Sequence, residues 1–332
     1  MKTLYMILET NDAYAAIAGT SLYSLYKNNK DIESLEVYLI NDGISDDNIK
    51  KFRKLADDFG RNLTLIDSSP MEKILSDAGV AMYKGSYTTY YKLFAVNMFP
   101  EDAEYVFFID SDTVVCGSLM ELLDWDFNGA PMAMTWEMVP EVYKEHLGLK
   151  KNDTFYNGGA ILFNRKKWRE GKYEERLLEY MRENHPSFLF ADQELQNVMF
   201  HNEIQLLPLK YNLHTTYFLY PHWQLKEIYH LYDEVSFSEP EIKEAKENPV
   251  IYHLVGNGAI CRPWFSNNHH PLTGIFDSYL QQTPWKDMKK GKMKRGIIGH
   301  LQYILYVVLP KKLYAKVHYK MITHFLTHAD KA

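Results

Sequence analysis

Tyr105-Val106-Phe107-Phe108-Ile109-Asp110-Ser111-Asp112 joins five apolar or aromatic residues to two carboxylates spaced i and i+2. A run this apolar reads as a buried strand, and the end of such a strand is where an α/β sheet presents ligands. Alternation along a continuing strand would send Asp110 and Asp112 to the same side, into one site. Two close carboxylates repel unless something positive lies between them. A divalent cation with hard oxygen ligands solves this, and one held by only two or three protein groups is completed by phosphate oxygens. An Asp-x-Asp tripeptide also occurs in solvated turns, but here it follows a hydrophobic strand, which favours a metal-diphosphate site.

Working outward, 332 residues at 46% hydrophobic and 24% charged can bury a sizeable core and exclude a disordered chain. Only Cys116 and Cys261 occur, neither in a metal or redox spacing, which argues against a disulfide framework and suits a reducing compartment. The amino terminus reaches Glu9 too soon to hold the apolar core of a signal peptide and reads as the first strand. From Lys286 onward eleven Lys or Arg face two Asp, a local charge of +9, so the preceding 285 residues stand at −15 within the net −6. An acidic body with a basic tail is not the profile of a nucleic-acid-binding protein. It suits a soluble catalytic domain over residues 1–285 with an electrostatic docking element over 286–332.

Strands and helices alternate, the signature of a mostly parallel sheet. Strands are expected over 3–8, 35–40, 62–66 and 160–163, with helices over 15–26, 88–98 and, as one long charged segment, 165–183. Ser45 is placed to cap a helix after the turn Asn41-Asp42-Gly43. No internal repeat or low-complexity segment is visible, and the one composition shift falls at Thr283-Pro284-Trp285.

Glu9-Thr10-Asn11-Asp12-Ala13, after the first strand, contains no glycine, which counts against a dinucleotide-binding Rossmann enzyme and a P-loop ATPase alike. Phosphate must then be held by a metal on Asp110 and Asp112, and a third ligand is wanted. His253 is the candidate, between the apolar Pro249-Val250-Ile251-Tyr252 and Leu254-Val255-Gly256-Asn257-Gly258. One imidazole beside two carboxylates suits Mn2+ better than Mg2+. The plain alternative is a buried structural histidine. Arg262 could clamp a phosphate, or be a solvated arginine beside a turn. Asn157-Gly158-Gly159 offers an amide where backbone can approach a ligand closely, or an ordinary strand entry. Asp192 and Gln193 either hydrogen-bond a sugar or merely open a helix.

Taken in order, Asp110-Ser111-Asp112, Asn157-Gly158-Gly159, Asp192-Gln193, Leu207-Pro208-Leu209-Lys210-Tyr211-Asn212 and His253-Leu254-Val255-Gly256 resemble glycosyltransferase family 8. That family includes bacterial lipopolysaccharide glucosyl- and galactosyltransferases and glycogenin, and the resemblance covers roughly residues 1–272. It implies a GT-A nucleotide-diphospho-sugar fold that transfers a hexose from a UDP-sugar, with retention of configuration, using Mn2+ or Mg2+ in its place. Asp110, Asp112 and His253 would hold the metal. Asn157, Gly158, Asp192 and Gln193 would meet the donor sugar, with Asp192 and Gln193 facing the reacting carbon. Arg262 and Lys92 would serve the phosphates, Thr10, Asn11 and Tyr14 would pack on the uridine, and Ser111 and Gly256 would belong to the same donor-binding set. Lys92 stands where an arginine is common, which sacrifices bidentate geometry.

Two rivals differ in class. Phe108-Ile109-Asp110-Ser111-Asp112 also resembles the nucleophile strand of haloacid-dehalogenase-type phosphatases, but the Asp-Asp pairs at 46–47 and 57–58 lie upstream of where such an enzyme needs its later acidic pair. The other rival is a non-catalytic sugar-binding module. The acceptor is expected to be a glycan or lipid-linked saccharide. The tail's apolar stretch 297–310 is interrupted by His300 and Gln302 and is shorter than the roughly 20 residues that span a bilayer. It is expected to lie on the inner face of the cell membrane, with the opposing reading that it folds back onto the catalytic domain.

Overall fold

The computed structural model of the chain describes residues 2–186, 188–231, 236–257 and 259–328. Ten strands appear among them. They are β1 (Leu4–Asn11), β2 (Leu35–Asp42), β3 (Asn62–Asp67), β4 (Tyr105–Ile109), β5 (Thr113–Val115), β6 (Met132–Trp136), β7 (Tyr156–Asn164), β8 (Ile204–Leu206), β9 (Leu213–His214) and β10 (Ile251–His253). A seven-stranded sheet runs β3-β2-β1-β4-β7-β6-β8, and β5-β10-β9 form a smaller one. β1 to β4 are mutually parallel where they pair, and β7 runs antiparallel between β4 and β6.

Alternation along the central strands explains why they read as continuous apolar runs. Leu4, Met6, Leu8, Phe107 and Ile109 enter one core, behind helix Ala15–Asn28. Tyr5, Ile7, Val106 and Phe108 enter another, beneath helix Thr88–Ala95. With helices on both faces these strands stay apolar until their C-terminal portions. Glu9 and Asp110 therefore continue the face of Tyr5, Ile7, Val106 and Phe108 toward Lys92.

Three features differ from the sequence reading. The strand carrying the carboxylates stops at Ile109, and Asp110-Ser111-Asp112 is a turn that hands the chain to β5 in the second sheet. Asp110 and Asp112 meet because the chain changes sheet there, and not by alternation along one strand. The segment 165–183 is two helices, Arg165–Glu170 and Tyr173–Asn184, broken where Lys172 takes a left-handed φ of 51° after Gly171. The segment 160–163 belongs to β7, whose antiparallel run carries Asn157-Gly158-Gly159 past the end of β4, where Asp110 N–H donates to the Gly159 carbonyl at 2.9 Å. Ser45 caps its helix as expected, its side chain accepting from Asn48 N–H.

Packing continues across residue 285. The Trp285 ring fills the space over Gly19, where a Cβ would sit 2.2 Å from it, and its indole N–H donates to Asn48 Oδ1 at 2.8 Å. Beyond it, residues 289–295 are hydrogen-bonded to the loop after β10. The Ser266 N–H donates to the Gly291 carbonyl at 2.8 Å, Met293 N–H to Asn267 Oδ1 at 2.9 Å, and Arg295 Nη2 to Cys261 Sγ at 3.0 Å. The last helix, Lys311–His328, buries Tyr314, Ala315, His318 and Leu326 against the body. Tyr314 and Tyr220 hydroxyls lie 3.2 Å apart. Both cysteines are free.

Candidate active site

β4, β5, β7 and β10 converge where the two sheets meet. His253 closes β10 and pairs in register with Thr113, the first residue of β5, which puts its ring over the turn. His253 Nε2 lies 3.0 Å from Asp112 Oδ1 and 3.5 Å from Asp110 Oδ2. One donor atom from each of the three residues falls within 4.8 Å of the others. His253 Nδ1 donates its ring N–H to Asn212 Oδ1 at 2.9 Å, which leaves Nε2 facing the carboxylates; burial opposes a charge on the ring, but Asp112 and Asp110 outweigh it and raise its pKa, so a bound cation would take the place of the Nε2 proton. Two carboxylates and one imidazole nitrogen so oriented fit a Mn2+-type ion.

Gly159 shows why the motif needs glycine. A Cβ there would lie 2.3 Å from His253 Cε1, inside any van der Waals contact. Asn157 is buried, its carbonyl oxygen accepting from Gly159 N–H at 2.8 Å and Asn212 Nδ2 at 2.7 Å, and its amide donating to Glu137. In this structure it braces the histidine's partner, a layer behind the surface expected to meet a sugar. Gly158 N–H donates to Gln193 Oε1 at 3.0 Å, and a Cβ on Gly158 would come 3.2 Å from Asp192.

On one side of the two carboxylates, Arg262 Nη1 pairs with Asp112 Oδ2 at 2.6 Å. Its guanidinium stands 5.3 Å from the Trp264 ring, which meets Tyr14 edge-on at 6.0 Å. Gly256 lets the loop fold onto Arg262, since a Cβ there would meet its Cγ at 3.1 Å. Asn11 accepts from Tyr14 N–H and holds that turn, while Thr10 is buried and donates to the Asn11 carbonyl. Ser111 donates to the Glu9 carbonyl and pins the metal turn to β1. Gly258 lies outside the described residues.

The opposite end is a buried charge cluster. Lys92 Nζ lies 3.2 Å from Glu9 Oε1, 3.2 Å from Asp192 Oδ2 and 3.8 Å from Asp110 Oδ1, and rests 4.2 Å from the centre of the Phe108 ring. At 2% exposure Lys92 is enclosed by Glu9, Asp110 and Asp192. Burial pushes the Glu9 carboxyl up to about 8 and that of Asp192 up to about 6, against the pull of Lys92. Burial opposes the charge on Lys92, but Asp192, Glu9 and Asp110 outweigh it and hold its ammonium firmly protonated. Burial also raises Asp110. At Asp112 burial is overcome by Arg262 and His253, which keep it well below the usual carboxylate range. Asp192 follows Ala191, whose φ of 45° is an uncommon left-handed value for a residue with a Cβ.

Sequence reasoning gave no role to Glu9, Glu137 or Asn212. Glu9 was findable as the carboxylate that follows Tyr5 and Ile7 on the face of Asp110; Asn212 sat inside a quoted motif; Glu137 carried no signal.

Fold and site define a glycosyltransferase of the GT-A type. The chain belongs to glycosyl transferase family 8, whose model matches residues 5–268. It is 25% identical to the lipopolysaccharide 1,2-glucosyltransferase of Escherichia coli K12 over 279 residues, covering 81% of this chain and 75% of that one. Among solved structures, the galactosyltransferase LgtC in complex with donor and acceptor sugar analogs superposes with a TM-score of 0.68 at 20% identity, covering 85% of this chain and 96% of that one. The bifunctional glycosyltransferase WbbM aligns with a TM-score of 0.69 at 20% identity, over 86% of this chain and 51% of its own, so the chain spans about half of that protein.

Proposed function

We propose that the chain is a retaining, metal-dependent hexosyltransferase that moves glucose or galactose from a UDP-sugar to a glycan or glycolipid. One arrangement carries the reading: Asp110, Asp112 and His253 converge between the Arg262–Trp264–Tyr14 strip and the Lys92–Asp192–Gln193 corner. Mn2+, or Mg2+ in its place, held by Asp110, Asp112 and His253 Nε2, would neutralise charge on the departing diphosphate.

The chain's own residues supply the rest. Asn212 aims the His253 lone pair, and the Arg262 guanidinium, 2.6 Å from Asp112, stands beside the metal position where phosphate oxygens would lie. Tyr14, exposed at the rim, offers a face to the uracil. Gln193, tied to Gly158, and Asp192, tied to Lys92, present acceptors to sugar hydroxyls at the far side. In the reaction the bond from the anomeric carbon to the diphosphate oxygen breaks with its electrons leaving on UDP. A bond to the acceptor oxygen forms, and the acceptor proton is released with the products.

The E. coli relative's name supports a lipopolysaccharide-type acceptor. The protein would then work from the cytoplasm, peripherally on the inner face of the cell membrane. No described helix is long and apolar enough to cross a membrane.

The test is UDP release from UDP-glucose and UDP-galactose with and without Mn2+, in the wild type and in Asp112→Asn. Metal-dependent release that the variant loses, with an α-linked product from an α-linked donor, supports the reading. Orthophosphate in place of UDP would mean a phosphatase, and sugar-nucleotide binding without turnover would mean a binding module. Full Mn2+-dependent turnover by Asp112→Asn would remove the metal assignment.

A further inference from the structure

Glu9 meets the site through two of its groups. Near the end of β1, its carbonyl accepts from the Ser111 hydroxyl in the turn between the two carboxylates. Its side chain lies on the face of Tyr5 and Ile7, where Oε1 accepts from Lys92 Nζ at 3.2 Å. At 7% exposure the carboxyl is enclosed, and Oε2 has no hydrogen-bond partner among the described residues.

The fold alone gives little reason for an acid here. Lys92 already has Asp192 Oδ2 at 3.2 Å and Asp110 Oδ1 at 3.8 Å, two carboxylates for one ammonium. A third acid adds either like-charge repulsion or a buried proton, together with an unpartnered oxygen. An aliphatic side chain of similar size would avoid all of these. What Glu9 supplies is direction. An ammonium offers three N–H groups in a fixed tripod, and here three carboxylates stand around it over the Phe108 ring, whose centre is 4.2 Å away. Without Glu9 the ammonium is free to slide toward the other two acids. Asp192 would follow, because the oxygen that pairs with Lys92 also accepts from Gln196 at 3.2 Å and is the atom a Cβ on Gly158 would meet.

We propose that Glu9 is a positioning residue for sugar transfer: by holding one N–H of Lys92 it fixes where the ammonium meets Asp192, and so sets the carboxylate on the sugar side of the site without itself touching substrate. The inference rests on the reading of Asp192 as a donor-sugar contact and deepens it. Its effect falls on the sugar and not on the nucleotide, since Arg262, Trp264 and Tyr14 are held by one another and by Asp112.

The experiment compares wild type with Glu9→Leu, Glu9→Gln, Asp192→Asn and the double variant Glu9→Leu with Asp192→Asn. Calorimetry with Mn2+ gives affinities for UDP, UDP-glucose and UDP-galactose, UDP release gives turnover, and thermal melting checks folding. Glu9→Leu should bind UDP within about twofold of wild type and lose about tenfold or more in turnover. Glu9→Gln, which keeps the acceptor for Lys92, should recover most of that loss. Because Glu9 acts through Asp192, the double variant should be no slower than Asp192→Asn alone. Unchanged turnover in Glu9→Leu, losses that add in the double variant, or a loss of UDP affinity equal to the loss of turnover would each overturn the assignment. Should Glu9→Leu not fold, Glu9→Ala enters the same cycle with the same outcomes. A wild type that binds UDP-sugars but releases no UDP would sink the transferase reading by itself. The gain in affinity from UDP to UDP-sugar then replaces turnover in the cycle and judges Glu9 separately.

Discussion

Asn212 Oδ1 lies 2.9 Å from His253 Nδ1. The neutral amide accepts the ring N–H without adding charge, and Asn212 is itself fixed by donating to Asn157 at 2.7 Å and Thr135 at 3.0 Å. Asn212→Leu should leave the ring free to change tautomer and weaken Mn2+ binding by about 10- to 100-fold. Calorimetric titration of the metal into the UDP-bound protein measures this. An unchanged affinity would show that Asn212 does not orient the ligand.

Gly159→Ala tests the same histidine from its other side. The added methyl would meet His253 Cε1 at 2.3 Å, its Nδ1 at 2.6 Å and Asn157 Oδ1 at 2.9 Å, and none of these buried atoms is free to withdraw. Overpacking of this kind costs about 1–3 kcal/mol. Thermal melting should show that loss together with impaired Mn2+ binding; normal melting and normal metal affinity would contradict the packing argument.

Glu9 gives a pH dependence. Its carboxyl, raised by burial to about 8, keeps in the folded protein a proton that the unfolded chain releases around 4.5. Its contribution to stability is therefore complete below about 4.5 and is lost as pH rises through 8, at about 1.4 kcal/mol per unit of separation at most. Glu9→Gln retains an acceptor for Lys92 and cannot ionise. Denaturant unfolding at a series of pH values should show a smaller fall in stability toward pH 8 for the variant than for wild type. Parallel curves would mean that Glu9 does not titrate in this window.

Asp192 is expected to separate sugar contact from nucleotide contact. Because it faces Lys92 and Gln196 and not the Arg262 strip, Asp192→Asn and Asp192→Ala should bind UDP nearly as wild type does. Turnover should fall on the order of a hundredfold. An equal loss of plain UDP affinity would place Asp192 at the nucleotide end instead.

The parts of the site legible in the sequence were those announced by local pattern. Five apolar residues before Asp110 gave the strand, and the short segment around His253 marked the histidine that the fold brings beside Asp110 and Asp112. Less legible was anything decided by how distant segments meet. The pairing of Asp110 with Asp112 was expected for the wrong reason, because alternation is a property of one strand and the chain leaves β4 at Ile109. The carboxylates around Lys92 were not legible, because nothing in its helix reveals that Glu9, 83 residues earlier, shares its burial. Glu137 reaches Asn157 only through the pairing of β6 with β7, which no local periodicity encodes. The break at Lys172 follows a single glycine inside an otherwise helical run, too weak a signal against the charge pattern around it.

Ser266 N–H donates to the Gly291 carbonyl, while Met293 N–H and Arg295 Nη2 donate to Asn267 Oδ1 and Cys261 Sγ, and these bonds join the segment ahead of helix Ile297–Val308 to the loop that carries Arg262. His269 stacked on Tyr303 at 5.4 Å extends that joint into the helix itself. The two ends of this joint cannot move independently: a displacement of helix Ile297–Val308 would be felt at the segment that carries Arg262, and a rearrangement of that segment would pull on the helix.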